Sequence, residues 1–132
     1  MGDIVFVAVW TLPRFVAAFE ALGFTMEGVQ PEPGLVRLWD DESYCGHGSA
    51  LGALAVAGVV FSYQSEAGDE TPAYVGASID GKLHRALALG PQDVEGHACP
   101  VVRVGEDGVP YPGDLADVHA YQQARQRIWD RA

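Results

Sequence analysis

The chain is poor in lysine, in cysteine and in long apolar runs, and each shortage closes off a class of protein. Lys82 is its single lysine, and the 8 basic residues face 18 acids for a formal charge of −10 over 132 residues. A chain this acidic repels phosphate and shows no basic patch, which argues against nucleic acid as a direct partner. The preference for arginine over lysine is a compositional mark of GC-rich, bacterial or phage coding sequence. Two cysteines, Cys45 and Cys99, fall short of the dense disulfide framework of small secreted domains. The longest weakly polar stretch, Ser49 to Phe61, is too short and too rich in Gly and Ala for a membrane span, which needs about 20 apolar residues. Met1-Gly2-Asp3 lacks the basic leader of a secretory signal, and Phe6 stands where a myristoylation signal wants Ser or Thr. The expected location is therefore cytoplasmic, away from membranes.

What is present suits a globular protein. A hydrophobic fraction of 48% supplies a core, and 16 glycines with 8 prolines supply turns. The length fits one domain, residues 1–132, and no repeat or linker divides it.

Ile4 to Trp10 is an apolar, partly β-branched run that reads as a buried strand. Thr11 is placed to cap a helix with Pro13 in its first turn, Phe15, Phe19 and Leu22 on one face, and Gly23 to stop it. Phe24 to Val29 and Leu35 to Trp39 read as strands, separated by a Pro-Gly turn. Asp40 to His47 reads as a polar loop, and residues 50–57 fit either a helix capped by Ser49 or a strand, with helix preferred. A meander follows over Val59 to Gln64, Ala73 to Ile79 and Lys82 to Leu89, with Asp80-Gly81 as its hairpin signal. Val101 to Val104 is a further strand after Pro100, and Asp114 caps a helix from Leu115 to about Arg131 with Leu115, Val118, Tyr121, Ala124 and Ile128 inward. The expected class is α+β: an antiparallel sheet of about six strands, an N-terminal βαββ unit, and a C-terminal helix packed on one face.

The charge is unevenly spread. From Asp114 onward three acids and three arginines cancel, so residues 1–113 carry the whole excess. Their acids cluster in expected loops: Asp40, Asp41 and Glu42; Glu66, Asp69 and Glu70; Asp93 and Glu95; Glu106 and Asp107. Acidic loops keep a protein soluble, and they also select a basic partner and speed its association. Asp40, Asp41, Glu42, Glu66, Asp69 and Glu70 are accordingly the candidate contacts for a basic protein partner, as in small acidic immunity proteins and inhibitors.

Cys45-Gly46-His47 and His97-Ala98-Cys99 form mirrored triplets. On extended backbone, residues two apart share a face, so the two triplets can offer Cys45, His47, His97 and Cys99 as a tetrahedral zinc set. The spacing departs from the usual two intervening residues, and no cofactor is required by any other motif. Cys45 ahead of a helix with His97 downstream also fits a nucleophile and its base, although the flanking residues match no hydrolase signature. Buried thiols with histidines at loop edges are the simpler reading of the same residues.

The opening 39 residues, with Thr11-Leu12-Pro13-Arg14-Phe15, then Phe19-Glu20-Ala21-Leu22-Gly23-Phe24, then a strand ending Leu38-Trp39, resemble the start of a glyoxalase-type (vicinal oxygen chelate) module. The resemblance covers under a third of the chain, and no second βαβββ unit or matching His and Glu metal ligands follow. It implies a small-molecule pocket between the first helix and the sheet.

Overall fold

The computed structural model describes residues 4–26, 34–44, 47–68, 72–89 and 98–132. Strand β1 (Ile4–Thr11) leads through a 3₁₀ turn (Pro13–Phe15) into helix α1 (Val16–Glu20), followed by β2 (Thr25–Met26), β3 (Val36–Tyr44) and helix α2 (Gly48–Val56). Strands β4 (Phe61–Ser65), β5 (Tyr74–Ile79), β6 (Lys82–Leu89) and β7 (Cys99–Pro100) precede the long helix α3 (Pro112–Arg131). The strands form one antiparallel sheet in the order β2-β3-β1-β4-β5-β6-β7. The α+β expectation holds, with seven strands where about six were read. No described helix is long and apolar enough to cross a membrane.

From β1 to β4 the chain follows the split βαβ plan, with α1 and α2 on one face of the sheet. Alternation along β1 explains the layering. Val5, Val7 and Val9 point to the α1/α2 face, where they meet Phe19, Leu51 and Ala55. Phe6, Ala8 and Trp10 point to the other face, which α3 covers with Tyr121, Ala124 and Ile128. A strand covered on both sides has no place for polar side chains, hence its unbroken apolar sequence.

Several local readings are corrected. Thr11 is no helix cap: it ends β1, and its hydroxyl donates to the Val60 carbonyl at 2.7 Å. Asp40 to Tyr44 continues β3, paired to β1 as far as Ile4↔Tyr44, because backbone pairing with β1 overrides the low strand preference of acids. Residues 50–57 resolve as helix, beginning at Gly48. Of Phe24 to Val29, Thr25 and Met26 pair with β3, and residues 27–29 lie outside the described set. Val101 to Val104 forms no strand, since the ladder to β6 falls at Cys99 and Pro100 and only Val104 makes an isolated bridge, to Pro110. Helix α3 starts with Pro112 in its first turn, and Leu115 faces solvent instead of the core.

The β5–β6 hairpin turns at Asp80 and Gly81, both with positive φ (56° and 77°), as the Asp-Gly signal requires. In the β4–β5 ladder Gly76 lies opposite Tyr63, whose buried ring covers the glycine. Burial pushes the Tyr63 phenol up to about 12, against the opposing pull of the Arg85 charge. A Cβ at Gly76 would stand 2.2 Å from Tyr63 Cε1. Gly76→Ala is therefore expected to destabilise the protein by about 1–3 kcal/mol, read from the midpoint of denaturant unfolding.

Candidate functional site

The acidic candidates separate once folded. Asp40 and Asp41 are consecutive on β3, at the register shift where Val7 pairs with Asp40 and Val5 with Ser43, and their surroundings differ. Asp40 is mostly enclosed and lies 2.8 Å from Nε2 of His47, whose ring packs 5.0 Å from that of Phe24. His47 itself sits in the left-handed region (φ 57°) as the residue preceding α2. Asp40 therefore fixes the approach to α2, and Asp41 is the member of the pair that remains exposed. Glu42 lies in the same strand. Glu66 is half-buried and accepts the Phe6 backbone N–H at 3.1 Å, so it closes the end of β1. Asp69 and Glu70 lie outside the described residues.

Two acids that the sequence reading placed only in a turn and at a helix cap, Asp80 and Asp114, carry structural ion pairs. Asp114, expected as a cap, sits inside the first turn of α3 and takes a two-pronged contact from Arg103, Nε to Oδ2 at 2.7 Å and Nη2 to Oδ1 at 2.8 Å. The Arg103 backbone N–H adds a third bond to Oδ2 at 3.0 Å. These bonds hold the Asp114 carboxyl at about 2, and they raise the Arg103 guanidinium in turn. At the far end of α3, Arg127 and Arg131 reach Asp80 at the β5–β6 turn, and the Arg127 contact in particular lowers the Asp80 pKa. The available signal was the surplus of arginines near the end of α3, which needed partners from outside the helix.

All seven arginines are drawn onto the protein's own groups. Arg103, Arg127 and Arg131 meet carboxylates, while Arg14, Arg37, Arg85 and Arg125 lie over the rings of Phe15, Trp10, Tyr74 and Trp129. Asp41, Glu106, Asp107 and Asp117 remain exposed. Glu106 and Asp107 are held on a tight turn closed by Gly108 N–H to the Gly105 carbonyl at 2.9 Å, with the Asp107 carboxylate accepting the Val109 N–H at 3.1 Å. Compared with known protein families, curated proteins and solved structures, this chain matches none. The charge arrangement is thus the main guide to its role.

The Cys/His set is placed only in part. His47 follows β3, whereas Cys99 is an exposed free thiol on β7, five places away in the sheet order. Cys45 and His97, and with them the nucleophile and base pair, lie outside the described residues. Among the described residues no three His, Cys, Asp or Glu side chains are grouped to hold a metal. Beneath α1, where the resemblance implied a pocket, the described residues form an aromatic cluster. Phe19 packs edge-on against Phe24 (5.7 Å) and Phe61 (5.3 Å), filling the space beneath α1, and a helix follows β3 where that module has a strand.

Two outcomes follow. The folded-state pKa of Asp114 lies below its ordinary 3.8, so its pair stabilises the fold above about pH 4 and that contribution fades as pH falls towards 2. Asp114→Asn should lower the thermal midpoint at neutral pH, with the gap to the native protein closing between pH 4 and 2. An exposed Cys99 should react with a thiol reagent in the folded protein at the same rate with or without zinc, and Cys99→Ser should remove that one equivalent; protection by zinc would support the Cys/His set.

Proposed function

We propose that this protein is a binding domain that captures a basic protein partner, in the manner of an immunity protein or inhibitor. The observation that supports this reading most is the engagement of every arginine by one of the protein's own groups, beside acids that stand outward. Of the eight bases, Arg103 pairs with Asp114, Arg127 and Arg131 share Asp80, and four more lie over aromatic rings. With a formal charge of −10 the field beyond the surface is negative, which draws a cationic protein in and repels nucleic acid and acidic proteins.

Asp41 and the Glu106–Asp107 turn are the first contacts to test. Both stand on ordered backbone, one in a strand and one in a closed turn, so little ordering entropy is lost when a partner docks. Asp40 contributes from behind by holding His47, and is assigned no direct contact.

The partner copurified from the native host and identified by mass spectrometry should be basic. Its association rate should fall at least about tenfold when salt is raised from about 50 to 300 mM, and again in the triple variant Asp41→Lys, Glu106→Lys, Asp107→Lys. A neutral or acidic partner, or an association rate indifferent to both salt and charge reversal, overturns the reading.

A further inference from the structure

Among the described residues seven large apolar side chains face solvent, and four of them, Val104, Val109, Tyr111 and Leu115, fall within residues 104–115, each between 44% and 57% exposed. Pro110 is exposed beside them. Apolar residues scattered singly over a surface are ordinary, whereas a contiguous group marks a place of contact.

Backbone pairing makes this group contiguous. Val104 bridges to Pro110, and on either side of that bridge Gly105 N–H meets the Val109 carbonyl at 3.0 Å and Tyr111 N–H meets the Arg103 carbonyl at 2.9 Å. The segment is thus a short two-stranded ribbon, with Val104 and Pro110 on one face and Val109 and Tyr111 on the other. Tyr111 then opens α3. Pro110 and Leu115 occupy the two positions, one before the cap and one turn beyond it, whose side chains meet across a helix start. Leu115 also heads the apolar stripe of α3: Tyr121 is buried, Val118 half-buried and Leu115 open, so the stripe runs out of the core towards the ribbon.

The ribbon is held in place from its base. Arg103 makes three bonds to the Asp114 carboxylate, and its guanidinium lies 5.2 Å from the centre of the Tyr111 ring. Apolar side chains are therefore presented to solvent on fixed backbone, which lowers the ordering cost of docking. Acids border them at both ends. Glu106 and Asp107 are exposed at the turn tip, and Asp117 lies on α3 in the groove that holds Arg103 and Asp114. Since Asp114 takes up the charge of Arg103, the border is net negative.

We propose that the 103–111 ribbon and the start of α3 form the docking surface for a basic partner whose contact face combines aliphatic or aromatic side chains with arginine or lysine. The partner's apolar groups seat on Val104, Pro110, Tyr111 and Leu115, and its cations meet Glu106, Asp107 and Asp117. This surface rests on the basic-partner reading and adds the short-range hold to it: complementary charge speeds encounter, while buried apolar contact slows release. A second copy of the chain suits it poorly, because a two-fold contact here would bring the acidic borders together.

The test is a titration of the ¹⁵N-labelled full chain with three synthetic peptides: acetyl-Arg-Leu-Arg-Leu-Arg-amide, its Arg-Gly counterpart and its Glu-Leu counterpart. The Arg-Leu peptide should shift the amide resonances of Val104, Glu106, Asp107 and Leu115 saturably, while that of Val56, an exposed apolar residue on α2, stays in place. The Arg-Gly peptide should bind at least about tenfold more weakly. Leu115→Gln and Val104→Thr should each shrink that preference while keeping the native thermal midpoint, and Val56→Thr should preserve it. No saturable shift at these residues, equal binding of the Arg-Leu and Arg-Gly peptides, or a preference unchanged in both variants overturns the docking surface and leaves the basic-partner reading standing. A Glu-Leu peptide bound as tightly as the Arg-Leu peptide overturns both. Dimerisation seen by sedimentation and lost in Leu115→Gln would give the surface to a second copy, and so overturn the basic occupant.

Discussion

The fold depends on β1 being buried on both faces. Every side chain from Val5 to Trp10 is at most 9% exposed, so the strand must be covered above and below. Helices α1 and α2 provide one cover, bound to the sheet through Phe19 and Leu51, and α3 provides the other through Tyr121, Ala124 and Ile128. The central place of β1 in the sheet follows from the same need, since an edge strand would leave one row of backbone groups bare.

The two covers are attached by different physics. The α1/α2 side is an apolar interior of interlocked aromatic rings, which has no preferred charge state. The α3 side has an apolar cluster of its own and is also pinned at its ends by carboxylates, Asp114 held by Arg103 and Asp80 holding Arg127 and Arg131. Between those pins lie the buried Ser62 and Gln64. Charge therefore has two tasks in this molecule: acids that meet arginines locate α3, and acids without such partners set the outward field.

Much of this was legible from sequence where local and long-range preferences agree. The apolar run of β1, the Asp80-Gly81 turn and the length of α3 each rest on a pattern contained within one segment. The readings failed where a distant partner decides. The polar stretch 40–44, with acids at 40–42, looks like a loop until β1 pairs with it, and the Val-rich residues 101–104 look like a strand but find no ladder. Asp114 has the right chemistry for a cap, yet Arg103 claims it from outside the helix. The acidic side chains were visible by composition, but which of them stay outward depends on His47, Phe6 and the arginines of α3.

The outermost strands also bear on how copies of this molecule meet one another. Among the described residues β2 and β7 are each two residues long, and most of β3 and β6 extends past them. The stretch of β3 beyond β2 carries Asp41 and Glu42, and the stretch of β6 beyond β7 carries Lys82 and Arg85. Two β3 margins brought side by side would set acid on acid, and two β6 margins base on base. Pro100 in the last strand further lacks an N–H to offer a new neighbour. Like margins thus repel at the approach, and a seven-stranded sheet with open ends is guarded against growing into a continuous one.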